Sequence, residues 1–495
     1  MKGAERLDFD ILSSPVLERE FPGVTQAFDE PAMRELLQTT LLGARATHRL
    51  ERCVPGNATY IADCCCALRY ALEFRAGDGR APIRALVNGR VFPDAEVSRN
   101  YLDERLSPLA KAMRGRTETT AFGQPVAMIG ALDMTVSVFP IDGELPSLVH
   151  ATDPERMLPI FQEALAHLHG TRDVPQRCRV ELGHYGRQHR CVLRYVLDDG
   201  APDADNDRQV VVYGKLAADD RGALTEPLLE ALHERVLTGS SRDAFAIPRS
   251  LGFYPELKLV LLEEIPGVPR VAQLLKARMR GESPASQEKL TLESAVDSCA
   301  RVAALLHGSA ISLGETRPLE GELAELRSAH AAIERVSPDF GARFGSWLED
   351  LTRYAALTHP LSHCLSHGDF SYTQLIFANG DCGLVDFDTI CQAEPALDLG
   401  HFLAYLRLAR VKAVKSADAR TADAIPFIEG LCARFLDSYL EAGGPLGGRR
   451  THERVALYEL ISLLRLAFHA WQKFKVDRLD SVVVALEDRL ERLSN

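Results

Sequence analysis

Asp369, Gln374 and Asp386, two carboxylates and one amide, are spaced so that a single short hairpin would bring them together. They lie in Ser366-His367-Gly368-Asp369-Phe370-Ser371-Tyr372-Thr373-Gln374 and in Gly383-Leu384-Val385-Asp386-Phe387-Asp388. Leu375-Ile376-Phe377-Ala378 and Gly383-Leu384-Val385 are apolar and strand-like, and Asn379-Gly380 supplies the positive-φ positions that a tight hairpin turn requires. Carboxylate and amide oxygens are hard donors suited to Mg²⁺, which commonly takes one or two protein oxygens and completes its shell with phosphate and water. Phosphoryl transfer needs little else from a protein.

The order His-Gly-Asp, an amide five residues after the Asp, a hairpin and then Val-Asp-Phe resembles the signature of aminoglycoside phosphotransferase and choline kinase-like proteins. The run Glu394-Pro395-Ala396-Leu397-Asp398-Leu399-Gly400-His401-Phe402 extends the likeness, because that family follows its metal-binding Asp with Pro-Ala-x-Asp-Leu at the start of a helix. The resemblance implies ATP-dependent transfer of the γ-phosphate to a hydroxyl of a small molecule: a sugar, an aminoglycoside or an amino alcohol. It makes Asp369 the catalytic residue that orients or deprotonates the acceptor hydroxyl, Gln374 and Asp386 the Mg²⁺ ligands, and His367 a structural residue of the loop. One position departs, since the family usually has Asn where this chain has Gln374. Gln reaches one methylene further and still presents a carbonyl oxygen. Asp388 is left with three roles: a second metal, orientation of Asp386, or solvent.

An ATP-binding lobe is expected ahead of the hairpin, from about Arg177 to Gly267. Cys191–Leu197 and Val210–Leu216 read as strands by their β-branched and aromatic content. Lys215 ends the second apolar run and is the candidate strand lysine that contacts ATP phosphates in kinase-like folds. Gly183-His184-Tyr185-Gly186-Arg187 reads as a loop that closes over phosphates through backbone amides and Arg187. The helical stretch Thr225–Leu237 offers Glu226, Glu230 and Glu234 as partners for Lys215, and Pro227 in its first turn favours Glu230 or Glu234. Leu257–Gly267 reads as the strand and hinge between lobes, where adenine would bond the backbone around Glu263, Glu264 and Ile265.

The chain also repeats itself. Ala67–Asp94 aligns without a gap on Val192–Asp219 at a constant offset of 125, matching Leu68, Arg69, Tyr70, Leu72, Gly89 and Asp94 to Leu193, Arg194, Tyr195, Leu197, Gly214 and Asp219. Arg90 falls on Lys215, and Met134–Gly143 resembles Leu257–Gly267. A strand, strand, helix, strand unit is therefore duplicated. The first copy reads as a degenerate nucleotide lobe packed on the second, because Arg90 lacks the compact charge of Lys and no catalytic hairpin follows it. The competing reading is a substrate- or partner-binding module.

From about Ala272 onward the pattern is helical, with apolar stripes at Leu292, Ala295, Cys299, Val302 and Leu306 and at Leu457, Leu460, Leu464, Ala467, Phe468 and Trp471. His307 reads as a capping or core histidine. Glu30–Leu42 forms one helix near the start, introduced by Asp29 and Pro31, and Gly443–Gly448 is a loop between late helices. The expected fold class is α/β (α+β), a protein kinase-like bilobal fold with a duplicated N-terminal β-rich lobe and a mostly helical C-terminal lobe. The expected divisions are a helical extension at 1–50, a degenerate lobe at 51–170, the ATP-binding lobe at 171–268 and the helical lobe at 269–495.

Composition allows this reading. The 495 residues are 46% hydrophobic and 25% charged, ordinary for a globular protein, and the net charge of −12 lacks the basic footprint of a nucleic-acid binder. No stretch approaches the roughly 18 uninterrupted apolar residues of a membrane span, and no signal-like segment opens the chain, so a cytoplasmic location is expected. The eleven cysteines, Cys64-Cys65-Cys66 among them, show no metal-type C-x-x-C spacing and read as buried or half-buried thiols. The expected cofactors are ATP and Mg²⁺, and the partner is a small-molecule hydroxyl substrate, with neither nucleic acid nor membrane. Two rival readings are a nucleotide-binding pseudokinase or scaffold and a kinase acting on a peptide precursor. The oligomeric state is left open.

Overall fold

Helices α1 (Pro15–Glu20) and α2 (Glu30–Leu37) start where the sequence supplies caps: Ser14 and Asp29 accept from the amides of Leu17 and Ala32, and each helix has Pro in its first positions. The structure, a computed structural model, describes residues 10–43, 48–76, 82–169, 174–186, 190–199, 209–237, 245–282, 290–415, 421–445 and 449–494. Helix α2 packs on an antiparallel sheet of β1 (His48–Ile61), β2 (Cys65–Ala76), β3 (Ile83–Val91), β4 (Val126–Ile129) and β5 (Met134–Val138), in the order β1-β2-β3-β5-β4, and Glu20 at the end of α1 accepts from Tyr60 on β1. Helices α3 (Ala95–Tyr101) and α4 (Ser107–Ala112) join β3 to β4, and α5 (Leu148–Ala151) and α6 (Pro154–His169) lead out of this first unit. A second sheet follows with the same topology: β6 (Arg177–Tyr185), β7 (Arg190–Asp198), β8 (Val210–Ala217), β9 (Ser250–Tyr254) and β10 (Leu259–Glu263), ordered β6-β7-β8-β10-β9, with α7 (Thr225–Leu232) after β8.

The repeat holds to the level of strand register. Tyr70 pairs with Val87 and Tyr195 with Val212, while Arg90 pairs with Thr135 and Lys215 with Val260, all at the offset of 125. Tyr70 donates its hydroxyl to Ala27 O (2.7 Å) and Tyr195 to Ala151 O (2.8 Å), so the duplication also takes in the helical segment ahead of each sheet. Gly89 and Gly214 lie over these rings, where a Cβ would fall 3.0 Å from the Tyr70 ring and 2.6 Å from that of Tyr195. Asp94 and Asp219 each cap the turn after the third strand. The triple cysteine straddles a turn and a strand: Cys65 and Cys66 are buried on β2, but Cys64 sits in the turn and is exposed, because only the strand residues have a sheet neighbour to cover them.

The carboxy-terminal half is helical: α8 (Val271–Met279), α9 (Leu292–His307), α10 (Leu319–Val336), α11 (Pro338–Leu357), α12 (Ala396–Lys415), α13 (Thr421–Glu441), α14 (Arg449–Gln472) and α15 (Val476–Ser494). Between α9 and α12 run β11 (Glu315–Thr316), β12 (Cys364–Ser366), the hairpin β13 (Leu375–Ala378) and β14 (Asp381–Leu384), and β15 (Cys391–Ala393). The stripe read on α14 understates it. Residues Val455 to Leu464 are all buried, so this helix is the centre of the lobe, and its buried Glu459 is matched by Arg407 and by Arg489 at 2.9 Å. Helix α12 reaches α14 at Gly400, where an added Cβ would sit 2.5 Å from the Glu459 nitrogen. Gly400→Ala therefore forces two core helices apart and is expected to destabilise the protein by about 1–3 kcal/mol, read as a lowered denaturant midpoint.

Candidate active site

Strand β12 pairs with β15, Ser366 opposite Cys391, and delivers the chain into the loop His367-Gly368-Asp369. Its conformation is held from beneath by Asp398, in the first turn of α12 and fully buried. Asp398 Oδ2 accepts from the His367 amide (2.6 Å) and Oδ1 from the Gly368 amide (2.8 Å), while His307 Nε2 donates to Oδ2 from 3.1 Å. The Nδ1 of His307 lies 2.9 Å from the Tyr439 hydroxyl, so the histidine at the end of α9 is a buried link. Burial alone would raise the Asp398 carboxyl, but the hydrogen bond and charge of His307, with His367 adding to them, hold it below the usual carboxylate range. Gly368 has φ +79°, and a Cβ there would lie 2.2 Å from Thr389 O, so no other residue fits. His367 donates from Nε2 to Val385 O (3.1 Å), which ties the loop to the far leg of the hairpin.

The hairpin forms as read, with Asn379 at φ 52° and Gly380 at φ 96°. It is clamped on both sides by segments that flank the last two strands of the second sheet: Val268, after β10, exchanges hydrogen bonds with Phe377, and Ala246, ahead of β9, bonds Cys382 and Leu384. At its open end the Val385 amide donates to Gln374 O (3.0 Å), bringing Gln374 alongside Asp386. Asp386 is held at φ 71°, which turns its side chain out of the strand direction.

Lys215 reaches down from β8, with Nζ 2.5 Å from Asp386 Oδ1 and 2.8 Å from Asp388 Oδ1. Arg190, at the start of β7, places Nη1 3.5 Å from Asp388 Oδ2. Burial would lower the Lys215 ammonium, but the charges of Asp388 and Asp386 outweigh it and hold it above its ordinary value. Asp386 moves the opposite way: burial opposes, and Lys215 keeps the carboxyl below its usual range. The nearby Asp369 works against that depression. Asp369 faces His401, whose Nε2 lies 2.9 Å from Oδ1, and His401 Nδ1 is 3.2 Å from Ser462 Oγ. Tyr405 packs on His401 (centroids 5.0 Å) and Tyr372 on Tyr405 (6.0 Å), so aromatic rings flank the carboxylate. The donors offered by Asp386 and Gln374, with Asp388 beside them, are all oxygen, which fits Mg²⁺.

Several expectations need correction. Gly183, His184 and Tyr185 belong to β6 and not to a loop, with a register irregularity between Leu182 and His184. Its first residues do alternate, with Arg177, Arg179 and Glu181 exposed and Cys178 and Val180 half-buried, but Gly183 and His184 break the pattern and read as a turn. Arg187 lies outside the described residues. Lys215 pairs with Asp386 and Asp388; Glu230 is exposed because α7 buries Thr225, Leu228, Leu229 and Leu232 and turns it to the opposite face, and Glu234, in the helical turn after α7, is exposed as well. At the hinge, the Glu263 amide donates to Arg249 O and the Glu264 amide to Val211 O, so adenine would have to use the carbonyls here or the Ile265 amide. In the sequence Asp398 and His401 stand only as members of the Glu394–Phe402 run. Their signal was a buried-position Asp and a His three residues apart on one helix, which has no meaning until the loop is folded over them. Arg190 gave no signal in the sequence.

Residues 265–458 match the sequence model of the phosphotransferase enzyme family. No curated protein matches the chain. Among solved structures, a glucosamine kinase in one crystal form is 14% identical over 90% of this chain and 94% of its own, with a TM-score of 0.46. Glucosamine kinase in complex with glucosamine, ADP and inorganic phosphate is 18% identical over 58% and 79%, with a TM-score of 0.43. A choline kinase from Streptococcus pneumoniae is 16% identical over 67% and 99%, with a TM-score of 0.41. The chain's own architecture, sheet-rich in its first half and helical in its second, is bilobal. Among the described residues no helix is long and apolar enough to cross a membrane.

The buried anchor makes a pH prediction. Because the Asp398 carboxyl is held low in the folded state, its stabilisation is complete above the usual carboxylate range and is lost as pH falls through the depressed folded value. Asp398→Asn should cost about 3 kcal/mol near neutrality, and the gap from wild type should narrow in acid; urea unfolding across pH checks both.

Proposed function

We propose, on the premise that this chain is a kinase-like relative of the phosphotransferase enzyme family through its residues 265–458, that it transfers the γ-phosphate of ATP to a hydroxyl of a small molecule. The observation that carries the reading is the meeting of Lys215, Asp386, Asp388 and Asp369 across the two lobes. Three carboxylates from two segments of the helical half and an ammonium from β8 have no packing role that requires them at one point.

In this reading Lys215 positions the phosphates, exchanging its contacts with Asp386 and Asp388 for phosphate oxygens. Asp386 and Gln374 would hold Mg²⁺ through their side-chain oxygens, beside Asp388. Magnesium bound there would neutralise charge on the β- and γ-phosphates. Arg190 adds positive charge on the β7 side of the cleft. Asp369 aligns the acceptor hydroxyl for in-line attack and accepts its proton. A Ser462 hydroxyl donating to His401 Nδ1 puts the ring proton on Nε2, facing Asp369, so His401 is a positioning residue for that carboxylate. Tyr372 and Tyr405 give the acceptor side an aromatic wall, suited to a sugar ring, an aminoglycoside or an amino alcohol.

ADP release with Mg²⁺ and ATP across a panel of those three classes tests the reading. Acceptor-dependent turnover is expected, with kcat reduced about 100-fold or more in Asp369→Asn and KM for ATP raised in Lys215→Ala. Nucleotide binding without turnover on any acceptor would overturn it in favour of a binding scaffold.

A further inference from the structure

The first unit lacks a catalytic hairpin, yet its sheet presents a surface equivalent to the one that carries Lys215. Arg69, Asn88 and Arg90 stand where Arg194, Tyr213 and Lys215 stand in the second unit. That surface is occupied by the protein itself. Tyr185, the last residue of β6, is buried against it: its hydroxyl donates to Asp142 Oδ2 (2.5 Å) and accepts from Asn88 Nδ2 (2.7 Å). The Arg69 guanidinium lies 3.5 Å from the Tyr185 ring centroid and also donates to the Tyr185 carbonyl, and the Phe139 ring packs against that of Tyr185 at 5.2 Å. A cavity of only about 30 Å³ remains beside Arg69, Asn88 and Arg90, room for a single water where ligand pockets run to roughly 300 Å³ or more.

Tyr185 pairs in register with Cys191, so it stands at the same end of the β6–β7 hairpin as Arg190. One leg of the hairpin is thus gripped by the first unit, while the other carries Arg190 to Asp388 at the site. We infer that Tyr185 is a positioning residue through which the first unit holds the β6–β7 hairpin over the cleft and so sets the affinity for nucleotide. The inference rests on the phosphotransfer reading. In physical terms, a two-stranded hairpin end is mobile unless its side chains are tied down, and a bond that must be ordered on binding weakens that binding. The contacts of Tyr185 make that ordering in advance.

The test uses the full chain with Tyr185→Phe, which keeps the ring and removes the hydroxyl, Asp142→Asn, which alters the same contact from the first unit, and the double variant. Faster amide exchange in β6 and β7 is expected, with an ATP dissociation constant raised about three- to tenfold in calorimetry with Mg²⁺. The acceptor KM and kcat at saturating ATP should stay at wild-type values, a split that general destabilisation would not produce. The double variant should be no weaker than the worse single one. If Tyr185→Phe does not fold, Asp142→Asn carries the test. Unchanged exchange and unchanged ATP affinity in a folded variant would overturn the inference. A wild-type protein that binds no nucleotide would instead sink the phosphotransfer reading and the affinity role with it, while exchange still reports on the hairpin.

Discussion

A carboxylate with no exposed surface holds the loop His367-Gly368-Asp369 in place. Asp398 is costly to bury as an ion, and the cost is met by two backbone amides and the imidazole of His307. Those same contacts define the geometry. The amides belong to His367 and Gly368, so the residue that follows, Asp369, leaves the anchor in one direction only. His307 and Tyr439 bring α9 and α13 into the arrangement, and Gly400, two residues on from Asp398, lets α12 lie against the central helix. Because α12 carries both Asp398 and His401, one helix supports the loop from beneath and meets Asp369 from the side.

The second organising element is the ion cluster across the cleft. Lys215 comes from the sheet-rich half, and Asp386 and Asp388 come from the helical half. A charge cluster divided in this way is as well placed as its two scaffolds are rigid. The hairpin is stiffened by Val268 on one side and Ala246 on the other, from the segments that leave and enter the second sheet. The lysine side is stiffened by Gly214, which lets β8 lie close over Tyr195. The repeat therefore has consequences for the site: the face of the first sheet that carries Arg90 is covered by Tyr185 of the second unit, and the corresponding face of the second sheet directs Lys215 to the helical half. The units stack in series, each covering the equivalent surface of the one before.

Much of this was legible in the residues. The spacing of Asp369, Gln374 and Asp386 around Asn379-Gly380 specifies a hairpin, because a two-residue turn with positive φ admits few other sequences. The offset of 125 predicts two like sheets, since matched apolar, glycine and cap positions demand the same pairing. Short-range chemistry of this kind is set by steric limits on the chain, and the sequence states it directly.

The pairings between distant segments were decided by the tertiary structure alone. Nothing in Lys215 specifies Asp386 and Asp388 over the glutamates of α7; that choice follows from which face of α7 is apolar, and so from packing. The strand β6 alternates only as far as Leu182 and then exposes Gly183 and His184, yet its terminal Tyr185 closes the contact between the two units. The sequence by itself determined the chemical types at the site and the local turns that display them. Only the folded chain decided which buried charge meets which partner, because burial and charge compensation depend on atoms hundreds of positions apart.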